Sequence, residues 1–97
     1  MLVKKLKQSG TLIKPPQSKQ IKTGLVILAP GEDVGWHITK NREEIIVVLK
    51  GRGTVECQGQ RKNINQGDFI YIEAEKEHNV FNTGKEELHY LYLVSLF

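Results

Sequence analysis

What most constrains this chain is its punctuation. Short apolar runs are broken by turn-forming residues about every 8 to 12 positions, the spacing of a β-sandwich or barrel. No segment sustains a 3.6-residue apolar period, so no long helix is predicted. The expected strands begin with Thr11–Lys14, closed by Pro15-Pro16, and Ile21–Leu28, closed by Pro30-Gly31. Gly35–Thr39 and Glu44–Leu49 follow. Thr54–Gln58 and Gln60–Ile64 form a hairpin about Gly59. Phe69–Ile72, His78–Asn82 and Leu88–Leu96 complete the set. About nine or ten such strands account for nearly the whole chain.

Glu44–Leu49 is the strongest of these, being rich in β-branched residues. A period of two puts Glu44, Ile46 and Val48 on one face and Ile45, Val47 and Leu49 on the other. Both faces are apolar apart from Glu44. The strand is therefore expected to be covered on both sides, by the core and by either the N-terminal segment or a second subunit. The same alternation puts His37 and Thr39 on one face and Trp36 and Ile38 on the other. It makes Trp36 a packing or interface residue rather than a pocket wall.

The 97 residues suit a single domain spanning 1–97, with an arm over 1–20 and a barrel core over 21–97. So small a domain has a limited core. Its apolar outward faces are too large to leave in water, so a homodimer with a two-fold interface is expected. The one cysteine, Cys57, excludes an internal disulfide and is read as a small packed hydrophobe. Much of the net charge of +3 comes from Lys4, Lys5, Lys7, Lys14, Lys19 and Lys22. These lysines are read as a solvated edge, without the aromatic interleaving of a nucleic-acid surface, so no nucleic-acid partner is expected. No apolar run approaches the ~20 residues of a membrane span, and the start lacks a signal-peptide pattern. A cytoplasmic protein with no membrane partner is the expectation.

Three residues of metal-binding type fall on neighbouring strands: His37, Glu44 and His78. Two imidazoles and a carboxylate leave open positions for water, substrate or dioxygen. Glu44 is the most unusual, a carboxylate in phase with the core. Unpaired burial would be costly, so it requires a cation, a hydrogen-bond partner or solvent at a barrel mouth. His89, in phase with Leu91 and Leu93, is read as structural. Tyr71, Tyr90 and Tyr92 read as core or pocket lining. Asn82 reads as a turn-fixing amide or a pocket residue.

The spacing of these residues carries a resemblance. Gly31, His37, Glu44 and Gly51 fall in register with the first motif of the cupin family, which runs Gly, five residues, His-x-His, three or four residues, Glu, six residues, Gly. Gly67, His78 and Asn82 fall in register with the second motif, which runs Gly, five residues, Pro-x-Gly, two residues, His, three residues, Asn. The chain departs at Thr39, where the family has its second histidine, and at Glu73 and Glu75, where Pro and Gly are usual. The resemblance implies an all-β fold, a small double-stranded β-helix (the cupin or jelly-roll barrel), often dimeric. It implies a divalent transition metal (iron, manganese, nickel, zinc or copper) on His37, Glu44 and His78, with water in place of the missing histidine.

Two activities are open on that resemblance. One is a metal-dependent dioxygenase or isomerase acting on a small molecule. The other is a non-catalytic binding or sensing module that has lost its metal, with His37, Thr39, Glu44 and His78 hydrogen-bonding the ligand. Thr39, Tyr71 and Asn82 are the candidate pocket residues. No catalytic residue is assigned.

Overall fold

The structure, a computed structural model, describes residues 1–95. Among them the chain forms eight strands and no helix: β1 (Gly10–Ile13), β2 (Ile21–Leu28), β3 (Glu44–Lys50), β4 (Arg52–Cys57), β5 (Gln60–Asn65), β6 (Phe69–Ile72), β7 (His78–Phe81) and β8 (Leu88–Ser95). All pairings are antiparallel, in a five-stranded sheet of order β1-β2-β8-β3-β6 and a three-stranded sheet of order β5-β4-β7. The expected all-β architecture is what is found. The expected end of the last strand, Leu96, lies outside the described residues.

Eight strands replace the expected nine or ten because Gly35–Thr39 is not a strand. This segment meets β7 through one isolated bridge, His37 with His78, and another, Asp33 with Phe81, lies just before it. Gly35 (φ 100°) and Asn41 (φ 56°) turn the backbone out of the extended region on either side of His37. Only one residue pair can then exchange hydrogen bonds. His37 N–H donates to the His78 carbonyl and His78 N–H to the His37 carbonyl, each at 3.0 Å.

β8 runs through the middle of the larger sheet, and its two registers define rows across the sheet's inner face. The rows are Lys22–Val94–Glu44, then Gly24–Tyr92–Ile46, then Val26–Tyr90–Val48, with Leu28–Leu88 beyond. The deeper rows meet Val55, Ile64 and Val80 of the smaller sheet and Ile72 of β6 in one core. Each fully buried aliphatic side chain there contributes about 1.5–3 kcal/mol. The turns follow from local chemistry. Gln58 and Gly59 both take positive φ (53° and 78°), as a two-residue type I′ hairpin requires. Gly51 has φ 82°, and a Cβ there would strike the Glu87 carbonyl.

The outer face of the larger sheet is only partly covered by the chain itself. Ile45, Val47, Leu49, Leu91 and Leu93 are half-buried, while Phe69 and Tyr71 on the edge strand β6 are 65% and 51% exposed. Residues 1–10 are exposed along their whole length.

Candidate metal centre

Three elements bring the polar cluster together at one end of the barrel. Glu44 opens β3 in the larger sheet and His78 opens β7 in the smaller one. His37 reaches them from the loop before β3, fixed by its backbone bridge to His78. Glu44 Oε1 lies 3.0 Å from His78 Nε2 and 3.6 Å from His37 Nε2. The imidazole centroids are 4.1 Å apart and inclined at 63°. One ligand atom from each residue falls within 4.8 Å of the others. His78 and Glu44 are buried, and His37 is half-buried at the surface end.

The donor chemistry fits a metal. His37 Nδ1 lies 3.0 Å from the Gly35 carbonyl and His78 Nδ1 lies 2.8 Å from the Lys76 carbonyl. A carbonyl only accepts, so both Nδ1 atoms carry the proton and both Nε2 atoms face Glu44. Metal-binding imidazoles are commonly anchored through the other ring nitrogen in this way. With both Nδ1 protons committed, a short contact from Nε2 to a carboxylate needs a second proton or a cation. Bond lengths of about 2.0–2.2 Å to a first-row metal put neighbouring ligand atoms roughly 3 Å apart, close to the spacing seen.

The electrostatics agree with that pairing. The Glu44 hydrogen bond raises the His37 imidazole above its ordinary value of 6.5, against the opposing effect of burial. Burial alone would push the Glu44 carboxyl up, but the bonds with His37 and His78 outweigh it and hold the group below its ordinary value. Burial, with the Glu44 carboxylate and Tyr92 nearby, drives the Tyr90 phenol well above its ordinary value of 10.0.

The centre opens into a cleft of about 490 Å³, whose walls include Lys22, Trp36, Thr39, Arg42, Tyr90 and Tyr92. Thr39 is thus beside the cluster, although its hydroxyl donates to the Arg42 carbonyl at 3.0 Å and so closes a turn. Tyr71 is elsewhere. It points outward from β6, donates to Glu43 Oε1 at 2.5 Å, and lines a separate cavity between β5 and β6. Asn82 sits at the opposite end of the barrel. Its Nδ2 donates to the Leu28 and Glu86 carbonyls, both at 2.8 Å, and its Oδ1 accepts from Gly84 N–H at 2.9 Å. His89 is on the outer face, 3.1 Å from Glu87 Oε1.

Two sequence readings are corrected here. Trp36 is a wall of the cleft, packed edge-to-face on Phe81 with centroids 6.1 Å apart. The alternation that pointed it away from His37 applies only inside a ladder, and this segment is not in one. Lys22 is half-buried on the inner face rather than solvated on an edge. Sequence reasoning passed over Lys22 and Arg42 as cleft residues, whereas Tyr90 and Tyr92, read as core or pocket lining, do line the cleft. The phase of Lys22 with Gly24, Val26 and Leu28 was the available signal for the first.

The chain is an antiparallel two-sheet barrel with a His–Glu–His cluster at one end that could hold a metal ion. The chain belongs to the cupin family: residues 24–94 match the Cupin domain. It is 32% identical over 69 residues to the oxalate-binding protein of Thermotoga maritima, covering 71% of this chain and 57% of that one. It is 33% identical over 86 residues to auxin-binding protein 1 of Arabidopsis thaliana, covering 79% of this chain and 43% of that one. The chain thus spans about half the length of these curated relatives. A solved Thermotoga maritima structure described as a predicted oxalate decarboxylase superposes with a TM-score of 0.84 at 26% identity, over 92% of this chain and 79% of that one.

Proposed function

We propose that this chain binds a divalent transition metal on His37, Glu44 and His78 and presents a small molecule to it in the adjoining cleft. The observation that carries the reading is the anchoring of both imidazoles through Nδ1, which leaves two Nε2 atoms and a carboxylate converging on one point. A metal held there would supply Lewis-acid or redox chemistry, the kind used by a dioxygenase or an isomerase. The protein's own part is to orient and partly dry the site. His78 and Glu44 are shielded, and only the His37 side faces the cleft. Oxalate, from the name of the Thermotoga relative, is the first compound to screen.

A second reading is a binding or sensing module without metal. It is favoured by the cluster's self-sufficiency, since no buried side-chain polar atom among the described residues lacks a hydrogen-bond partner. Calorimetric titration of chelator-treated protein with Zn²⁺, Mn²⁺, Fe²⁺, Ni²⁺ and Cu²⁺ separates the two. The metal reading expects at least one ion to bind one per chain, with affinity lost about 100-fold or more in His78→Ala. If no ion binds, the metal-free module stands.

The half-covered outer sheet face, with Phe69 and Tyr71 at its edge, supports a homodimer through a second copy of the same face. Light scattering at micromolar concentration should then report about twice the 11.0 kDa chain mass. A monomeric mass would remove that proposal. A cytoplasmic location suits the single free thiol, Cys57, which needs no oxidising compartment. Among the described residues no helix is long and apolar enough to cross a membrane.

A further inference from the structure

The metal reading leaves the charge of the cleft unused. Ion pairs among the described residues are His37–Glu44, His78–Glu44, Arg61–Glu56 and His89–Glu87. Lys22 and Arg42 both line the cleft and take part in none of them. Among the described residues the cleft's lining has one carboxylate, Glu44, and it is already engaged by two imidazoles. Two uncompensated cations in a concave, partly apolar space focus a positive field there. A divalent ion at the centre would add to it.

The fold places these cations at fixed positions around the centre. Lys22 shares the row Lys22–Val94–Glu44, so its Cα is two strand spacings, about 10 Å, from that of Glu44. Its flexible four-carbon stem can carry the ammonium back over Val94. One row deeper, Tyr92 lies flat across Gly24, where a Cβ would come within 2.6 Å of the ring. The glycine leaves the tyrosine down on the sheet and the space above it open.

Arg42 comes from the β3 side, on a loop that is tied down. Thr39 Oγ1 donates to the Arg42 carbonyl at 3.0 Å, Asn41 N–H to Glu75 Oε1 at 2.6 Å, and Glu75 N–H to the Thr39 carbonyl at 3.0 Å. Glu75 makes these bonds with φ 68°, an uncommon conformation for a residue with a Cβ. A local cost at one loop thus fixes the approach of Arg42.

We propose that the cleft takes a small organic acid, with Lys22 and Arg42 binding a carboxylate group beside the His37–Glu44–His78 centre. This rests on the proposed ligand site in the same cleft and adds the charge of its ligand. Arg offers a planar fork to a carboxylate and Lys a point charge, so the pair suits an acid with a second polar end. Oxalate and the longer succinate both carry such a second end, and succinamide keeps the length of succinate without its charge.

The test is calorimetric titration of zinc-treated and chelator-treated protein with oxalate, succinate and the neutral succinamide. Succinate should bind at millimolar concentration or below, and succinamide at least about tenfold more weakly. Lys22→Met and Arg42→Met should each weaken succinate at least about fivefold, while Lys50→Met, at the other end of β3, should leave it unchanged. Added salt should weaken succinate binding. Equal binding of acid and amide, unchanged affinity in both cleft variants, or no binding of either acid would overturn the proposal. Zinc binding without acid binding removes this inference and leaves the metal reading. Acid binding to a protein that takes no metal does the reverse.

Discussion

The two ends of the barrel both hold buried polar residues, and they use them differently. At the end where β3 stops, Asn82 gives every hydrogen bond it makes to backbone: two carbonyls and one N–H, from β2 and the turn after β7. Thr54 instead bonds the side chains of Thr83 and Asn63. Gly53 leaves no room even for a methyl group, with the Phe81 carbonyl and Leu88 Cδ2 against it. At the end where β3 begins, Glu44 and the Nε2 atoms of His37 and His78 bond only to one another, and a cleft opens beside them. A buried polar group saturated by backbone holds the fold. Titratable groups gathered on each other, beside open space, are available to a ligand.

The largest test of this contrast is a pair of substitutions with opposite consequences. Asn82→Ala strands the buried Leu28 carbonyl and the part-buried Glu86 carbonyl and Gly84 N–H, and should destabilise the protein by about 3 kcal/mol. Thermal unfolding should fall by more than about 10 °C, while metal affinity in the folded fraction stays near that of wild type. Glu44→Gln removes the anionic ligand and should lower metal affinity about 10- to 100-fold while moving the melting temperature of the metal-free protein much less. Denaturation curves and metal titrations on both variants check it. If Glu44→Gln unfolds the protein and Asn82→Ala abolishes metal binding, the two ends have been assigned the wrong way round.

The same contrast explains which features could be seen in the sequence. The strand runs and both glycine-bounded motifs were legible because their determinants are local: a period of two, turn residues and fixed spacings. The convergence of His37, Glu44 and His78 was legible only through the resemblance, since spacing along one chain does not give distance across two sheets. The loss of the Gly35–Thr39 strand depends on Gly35 and Asn41 taking positive φ, which the apolar pattern does not encode. That error also mis-aimed Trp36. Lys22 was hidden for another reason. Its phase with Gly24 and Val26 was readable, but its place opposite Glu44 depends on both registers of β8. Glu75 stands where the family's glycine is usual, and the structure keeps a positive φ there by tying the residue to Thr39 and Asn41.

A smaller effect concerns the missing histidine. Thr39 borders the centre, but its hydroxyl is engaged by the Arg42 carbonyl, so it acts as a turn residue within the functional end. Thr39→His should trade that bond, at a cost of about 1 kcal/mol, for an added nitrogen ligand, and raise affinity for Zn²⁺ or Ni²⁺ about tenfold. Titration of variant and wild type with the same metals reads the outcome. Unchanged affinity for every metal would mean that position 39 does not face the ion, and would place Thr39 with the structural residues.

The smallest expected effect is the pH response of the metal-free protein, and it follows from the signs of two shifts. Glu44 is held below its ordinary value of 4.5, so its contribution to stability is full above that value and is lost as the pH falls through the folded-state value. His37 is raised above 6.5, so its contribution is full below 6.5 and is lost as the pH rises through the folded-state value. The metal-free barrel should therefore gain most from the pair between these limits and lose some of that gain on either side. The loss on the alkaline side should be slight, because His37 is half-exposed and solvent screens its pairing. A bound metal takes over from the proton on His37, so loading with zinc should flatten the alkaline side while leaving the acid side steep. Melting temperatures across pH 4 to 9, with and without zinc, measure both limbs. A metal-free profile that keeps rising through neutral pH would mean that His37 and Glu44 are not paired through a proton. The functional end would then lack the coupling that sets it apart from the Asn82 end.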